Sequence, residues 1–195
     1  MSHCCQREVY LHYPLTGLDA PAAYNRATVK IELSGRAEGW PMEDRLILPY
    51  AAAQFPKIDP RAKLKLSCVR PERTFWEKAA LVHEQNVRPG VTPLAPRQAR
   101  HLYDLTQLWG AAHSCEGLGE LFGGVVQHRK TYFDYNWIDY DSLSPAKLQL
   151  IPSVERLAEW QADYRSMGAM FFGDPPSFEQ ILSSLRMIEE AISKL

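Results

Sequence analysis

The spacing of apolar residues changes near Pro71, and this change constrains the fold more than any other feature of the sequence. Up to about residue 70, apolar and polar residues alternate, as in Val29-Lys30-Ile31-Glu32-Leu33 and Leu64-Lys65-Leu66-Ser67-Cys68. Such alternation predicts strands with one buried face. From Pro71 onward, apolar residues recur at helical spacing. The chain of 195 residues is therefore predicted to be α+β, with a half-buried sheet in residues 1–70 and a helical domain in residues 71–195.

Three helices are predicted between Pro71 and Tyr132. The first begins near Pro71, which suits a first turn, or near Thr74, which could form a capping box with Glu77, and it runs to about Gln85. The second covers residues 97–109 and is expected to end at a glycine, residue 110. The third covers residues 116–132, where four glycines weaken it.

Two further helices are predicted from apolar stripes that follow serine caps. Ser153 is expected to cap the first helix, which ends before Asp174-Pro175-Pro176. Ser177 is expected to cap the second, with Gln180 completing a capping box. Both stripes are predicted to be core, the first formed by Val154, Leu157, Trp160, Tyr164, Met167 and Phe171, the second by Phe178, Ile181, Leu182, Leu185, Ile188 and Ile192.

Composition restricts the classes of function. The net charge of −1 gives no global basic field that would indicate nucleic-acid binding. Residues 57–78 carry seven basic and three acidic side chains, so they form either a solvated face or a phosphate-facing patch. The four cysteines lack the paired spacing of a zinc site, and no apolar stretch is long enough to cross a bilayer. A cytoplasmic protein with reduced thiols and no membrane contact is expected.

Lys78 and Asp104 lie on consecutive predicted helices and are the strongest candidates for chemistry. In a helix, Lys78 shares a face with Phe75 and Val82, so its stem packs on apolar surface while its ammonium requires a polar destination. That destination is either solvent or the inner edge of a cleft that binds a triphosphate. Asp104 either forms a surface ion pair with Arg100 or belongs to an active site.

Around these two residues, the sequence resembles the AbiEii-type nucleotidyltransferase toxins. Thr74-Phe75-Trp76-Glu77-Lys78 is similar to the family's Thr-Phe-x-Glu-Lys helix. Arg100-His101-Leu102-Tyr103-Asp104-Leu105 is similar to its Arg-(His or Asp)-x-Tyr-Asp-Leu helix. The resemblance covers nearly the whole chain and the second half of the family. It implies transfer of a nucleotide from an NTP to an acceptor such as RNA, with Mg²⁺ as cofactor and an antitoxin protein as partner.

The resemblance also implies roles for individual residues. Lys78 would contact the triphosphate as the leaving pyrophosphate gathers charge, and Asp104 would belong to the active site. Arg73, Arg100 and His101 would bind substrate, although each arginine could instead be an ordinary surface residue. His101 occupies a position where many relatives have aspartate, and it could ligate a metal, titrate or hydrogen-bond to Asp104.

Glu32 is the candidate metal ligand. It lies in an apolar-x-apolar-acid-apolar strand, similar to the strand that supplies the third carboxylate in polymerase-β-like nucleotidyltransferases. That carboxylate would orient the attacking hydroxyl and ligate a metal ion. The alternative is a glutamate on a solvated strand face.

Two motifs of such transferases are missing from the 195 residues. No Gly-Gly-x-Ser turn is present, and Asp139-Tyr140-Asp141, which has the letters of the Asp-x-Asp motif, lies late in the chain and is predicted to form a turn. The chain is therefore expected to be a carboxy-terminal portion of the family's fold that does not catalyse transfer by itself. The alternatives are a non-catalytic module that binds nucleotide, RNA or an antitoxin-like partner, and a structural fragment without function.

Overall fold

The structure, a computed structural model, describes residues 7–12, 28–33, 39–55, 57, 63–90, 92–171 and 173–195. These residues form strands and helices in the order that the change of period predicts, so the α+β class is confirmed. The first part contains β1 (Arg7–His12), β2 (Thr28–Leu33), β3 (Met42–Ile47), α1 (Tyr50–Gln54) and β4 (Leu64–Val69). The second part contains α2 (Pro71–Asn86), α3 (Arg100–Ala112), α4 (Leu118–Tyr132), α5 (Leu157–Ser166) and α6 (Phe178–Ile192).

The strands form two separate antiparallel hairpins, β1 with β2 and β3 with β4. In the first hairpin, Val9 pairs with Ile31 and Leu11 with Val29, so the predicted alternation places the apolar residues on one face. The alternation predicts that this apolar face is buried, and that prediction is wrong. Its side chains, including Leu33, are 42–55% exposed. The physical reason is that a two-stranded sheet brings no second layer of its own to cover that face.

The core lies within the helical part and extends from Phe75 to Ile192. Helix α2 packs on α3 and α4, and α3 packs on α6. The indole Nε1 of Trp76 donates a 2.7 Å hydrogen bond to the carbonyl oxygen of Leu118, which ties α2 to the first turn of α4. All six apolar residues predicted for the last helix are buried, as are Trp160, Tyr164 and Met167 of the preceding stripe.

The predicted start of α2 at Pro71 is confirmed, and the alternative capping box is wrong. Arg70 is the N-cap residue, and Thr74 lies inside the helix, where its hydroxyl donates to the carbonyl oxygen of Arg70 at 3.3 Å. Helix α3 begins three residues later than predicted and continues through Gly110 to Ala112. The four glycines do not prevent α4 from forming.

The predicted cap at Ser153 is also wrong. Helix α5 begins at Leu157, Val154 is exposed, and a short 3₁₀ turn at Gly168–Met170 follows the helix before Asp174. The capping box of Ser177 and Gln180 is confirmed, with both reciprocal hydrogen bonds present.

The sequence Asp139-Tyr140-Asp141 lies in a turn, as predicted. The hydroxyl and amide of Ser142 both donate to the carboxylate of Asp139, which is typical of turn chemistry. Among the described residues, no helix combines the length and the apolar character needed to cross a membrane.

Candidate functional site

Lys78, His101 and Asp104 meet where α2 packs against α3. The ammonium of Lys78 lies 3.2 Å from Nδ1 of His101 and 3.5 Å from Oδ2 of Asp104. The third side of this triangle, from His101 Nδ1 to Asp104 Oδ2, measures 3.6 Å. The two motifs that the sequence analysis identified on separate helices therefore join in one cluster.

Helix geometry explains why the lysine points toward α3. Phe75 and Val82 are fully buried and lie on the same side of α2 as Lys78, so the lysine stem packs on the helix interface. The side chains of Lys78 and Asp104 are 27% and 36% exposed, whereas that of His101 is only 4% exposed. The ammonium thus lies at the inner edge of a polar surface, with His101 behind it, and Asp104 pairs with Lys78 rather than with Arg100.

The cluster holds Asp104 as an anion and His101 as a neutral ring. Burial by itself would raise the pKa of Asp104, but the charge of Lys78 and its contact with the carboxylate hold that pKa below its usual value. Burial lowers the pKa of His101, and the nearby charges of Lys78 and Arg100 lower it further against the opposing effect of Asp104. At neutral pH, the site therefore presents one cation, one anion and one uncharged ring nitrogen.

A buried ionic network fixes the far end of α2. The Arg129 guanidinium of α4 donates two hydrogen bonds to the carboxylate of Glu84, one of them 2.7 Å long, and the Tyr140 hydroxyl donates a third at 2.9 Å. Burial and the charge of Glu84 raise the pKa of Tyr140, which keeps this donor protonated. The sequence analysis missed this network, although Glu84 follows Trp76 and Ala80 at helical spacing and so lies on the buried stripe of α2.

The start of α3 is fixed by a carboxylate from another helix. Asp163 of α5 accepts 2.7 Å hydrogen bonds from the backbone amides of Arg97 and Ala99, just before α3 begins at Arg100. Amides at a helix start lack partners within the helix, so a carboxylate there satisfies donors and suits the helix dipole. Asp163 thereby positions the helix that carries His101 and Asp104.

Comparison with known protein families establishes the family in which these two motifs occur. The family model for the nucleotidyl transferase AbiEii toxin of type IV TA systems matches residues 6–184. The chain belongs to this family. Neither the search of curated proteins nor the search of solved structures finds a match. Lys78 and Asp104 therefore lie together in a member of a nucleotidyltransferase toxin family.

The two arginines predicted for this AbiEii-type chain have different environments. Arg100 is exposed and lies one turn before Asp104 on α3. Arg73 is 2% exposed, and its guanidinium donates to Glu77 Oε1 at 2.9 Å and to the carbonyl oxygen of Trp40 at 3.3 Å. Arg100 is therefore accessible to a ligand in this structure, whereas Arg73 is engaged inside the protein.

Several basic side chains of the segment from Lys57 to Lys78 form ion pairs with carboxylates of the protein. Lys65 pairs with Asp44 at 2.8 Å, and Arg70 pairs with Glu72 at 2.9 Å. The segment includes Arg61 and Asp59, which lie outside the described residues. Where it is described, the segment combines these ion pairs and the Lys78 cluster with the exposed side chains of Lys57 and Lys63.

Glu32, the predicted metal ligand, pairs within its own hairpin rather than with this cluster. Its carboxylate pairs with Lys30, which also pairs with Glu8 at 2.7 Å. In the part of the chain that the structure describes, no contact joins Glu32 to Lys78 or Asp104. The same residues contain no group of three or more His, Cys, Asp or Glu side chains that could hold a metal ion.

Proposed function

We propose that Lys78 and Asp104 form the phosphate-binding edge of an NTP site in a nucleotidyltransferase-type toxin. The observation that carries this proposal is the Lys78 ammonium, which lies 3.5 Å from Asp104 at the interface of the two motif helices. An ammonium is a compact cation with three donors, and it suits the phosphates of a nucleotide. The family match over residues 6–184 supports a nucleotide as the substrate.

Each residue has a distinct proposed role at this edge. Lys78 supplies the positive charge that stabilises the leaving pyrophosphate, and Asp104 is the anion that pairs with the ammonium. Arg100, which is exposed on the same helix as Asp104, supplies a second contact to the phosphates. The substrate contact of Arg73 and the metal contact of Glu32 stay predictions of the resemblance.

The proposed reaction is transfer of a nucleotide from an NTP to an acceptor, with RNA as the proposed acceptor and Mg²⁺ as the proposed metal. An antitoxin protein is the proposed partner, since the family is that of a type IV toxin–antitoxin system. In-line displacement at a phosphate requires paired carboxylates that hold metal ions. The 195 residues contain no Gly-Gly-x-Ser motif to supply this arrangement, and their one Asp-x-Asp sequence, Asp139-Tyr140-Asp141, lies in a turn late in the chain. We propose that this chain by itself binds nucleotide without transferring it.

The missing motifs also favour a second candidate function. A non-catalytic module that keeps the Lys78 cluster would bind nucleotide, RNA or an antitoxin-like partner without turnover. Both candidates keep the Lys78 cluster and differ in whether transfer ever occurs.

A transfer assay tests the proposal. The 195-residue chain would be incubated with each labelled NTP, cellular RNA and MgCl₂, and bound and incorporated label would be measured separately. We expect retention of NTP by the protein and no incorporation into RNA above background, because losing metal-held charge stabilisation costs a factor of ten for every ~1.36 kcal/mol of barrier. Robust magnesium-dependent incorporation would show that the chain is a complete enzyme. Absence of NTP retention would contradict the proposed NTP site.

A further inference from the structure

His101 lies in the site described above but is too buried to be a direct substrate contact. Its side chain is 4% exposed, and its Nδ1 faces the ammonium of Lys78 at 3.2 Å. An ammonium has three donors and no acceptor, so a hydrogen bond between the two requires that Nδ1 carries no proton. The neutral ring then carries its proton on Nε2, and Nδ1 cannot donate to Asp104 at the same time.

The charged groups around His101 favour this arrangement. Lys78 faces it from α2, and Arg100 and Asp104 face it from α3. Burial of the ring lowers the pKa of His101, and the two cations lower it further against the opposing effect of Asp104. The distance from Nδ1 to Lys78 is also shorter than the 3.6 Å distance from Nδ1 to Asp104. The lowered pKa keeps the ring neutral, and the distances favour Lys78 as the hydrogen-bond partner of Nδ1.

We propose that His101 is a positioning residue that uses Nδ1 as a neutral acceptor to aim the Lys78 ammonium at the phosphates of the bound NTP. This inference rests on the proposed function, since it assigns His101 a task in the same NTP site. A neutral acceptor fixes the direction of the ammonium without cancelling its charge. Asp104 supplies the one anion, and the lysine keeps a hydrogen available for a phosphate oxygen.

Two uncharged substitutions separate this role from simple packing. His101→Asn places an amide oxygen near the position of Nδ1 and keeps an acceptor for Lys78, whereas His101→Gln places its amide near Nε2 and removes that acceptor. We expect His101→Asn to bind each NTP within about threefold of the wild-type dissociation constant. We expect His101→Gln to weaken binding about tenfold, which corresponds to ~1.4 kcal/mol. Urea unfolding of both variants serves as the control for fold.

A double-mutant cycle with Lys78 completes the test. In the Lys78→Ala background, His101→Gln should change NTP affinity by less than about twofold, because the ammonium that it positions is gone. Equal losses for the Asn and Gln variants, or a loss that persists without Lys78, would overturn the inference.

The tautomer of His101 can be measured without any nucleotide. We expect ¹⁵N NMR of the imidazole at neutral pH to show an unprotonated Nδ1 and a protonated Nε2. A protonated Nδ1 would overturn the inference whether or not NTP binds. Absence of NTP binding by the wild-type chain, with the expected tautomer present, would instead contradict the proposed function.

Discussion

Adjacent residues near the end of α2 show how local environment sets the state of an ionisable side chain. Glu84 is buried with Arg129 and Tyr140 as hydrogen-bond donors, so its charge is paired. His83 is buried and forms no ion pair with the residues that the structure describes. Its Nδ1 accepts a 3.1 Å hydrogen bond from the backbone amide of Gln149. Burial lowers the pKa of His83 from 6.5 to about 4, so its ring is neutral in the folded protein at neutral pH.

This shift predicts a loss of stability in mild acid. The unfolded chain binds a proton at His83 near pH 6.5 and the folded chain only near pH 4, so stability is highest above pH 6.5 and falls as pH drops through this window. The free energy of unfolding should fall by about 2 kcal/mol from His83 between about pH 7.5 and pH 5, since each unit of pKa difference corresponds to ~1.36 kcal/mol.

The measurement is urea unfolding at both pH values, with His83→Asn as the control. Asparagine retains an acceptor for Gln149 and does not titrate, so this variant should lose less stability over the same interval. A small residual loss is expected from His101, whose pKa is lowered in the same direction. Equal losses in the variant and the wild type would show that His83 is not the titrating group.

Helix boundaries could be predicted where the signals are local. Pro71 and the capping box of Ser177 set two helix starts correctly, because each signal lies within four residues of the boundary. The start of α3 was misplaced because its cap, Asp163, comes from another helix more than sixty residues away. Gly110 was misinterpreted as a terminator because tertiary packing of α3 against α2 and α6 outweighs the low helix propensity of glycine.

Asp163 should therefore couple two helices to the site. Asp163→Ala removes the acceptor for two backbone amides, and we expect the free energy of unfolding to fall by about 2–3 kcal/mol. NTP binding should weaken as well, because the first two turns of α3 carry Arg100, His101 and Asp104. Asp163→Asn, which keeps one amide oxygen as an acceptor, should fall between the alanine variant and the wild type. Chemical denaturation and equilibrium dialysis measure the two effects, and an unchanged unfolding midpoint in Asp163→Ala would refute this role for the cap.

At the scale of the whole molecule, the sequence predicted which segments form strands but not what covers them. Alternation specifies which residues of a strand share a face, and the register of β1 with β2 confirms that pattern. Burial of that face depends on a second layer, which a strand's own sequence does not encode. The Lys78 cluster was predictable only in part. The sequence motifs identify Lys78 and Asp104, but their contact depends on the packing of α2 against α3, which neither motif encodes.

The same division predicts that the helical part folds by itself. The buried hydrophobic cluster begins at Phe75, so a fragment of residues 70–195 keeps all of it together with the N-cap of α2. We expect this fragment to retain helical circular dichroism and cooperative unfolding, with a loss of about 1 kcal/mol for the missing bond from Arg73 to Trp40. A fragment of residues 100–195, which lacks Phe75 and Trp76, should not fold cooperatively. Loss of cooperative unfolding in the longer fragment would contradict this division of the chain.

Calorimetric titration of NTPs with two lysine variants tests the Lys78 site most directly. Lys78 and Lys130 each form an ion pair with an aspartate, at 3.5 Å and 2.5 Å, but only Lys78 lies at the interface of the two motif helices. In MgCl₂, the wild-type chain and Lys130→Ala should bind NTP with equal affinity, and Lys78→Ala should bind at least about tenfold more weakly, a loss of ~1.4 kcal/mol. Equal affinity in Lys78→Ala and the wild type would contradict the assignment of this cluster as the nucleotide site.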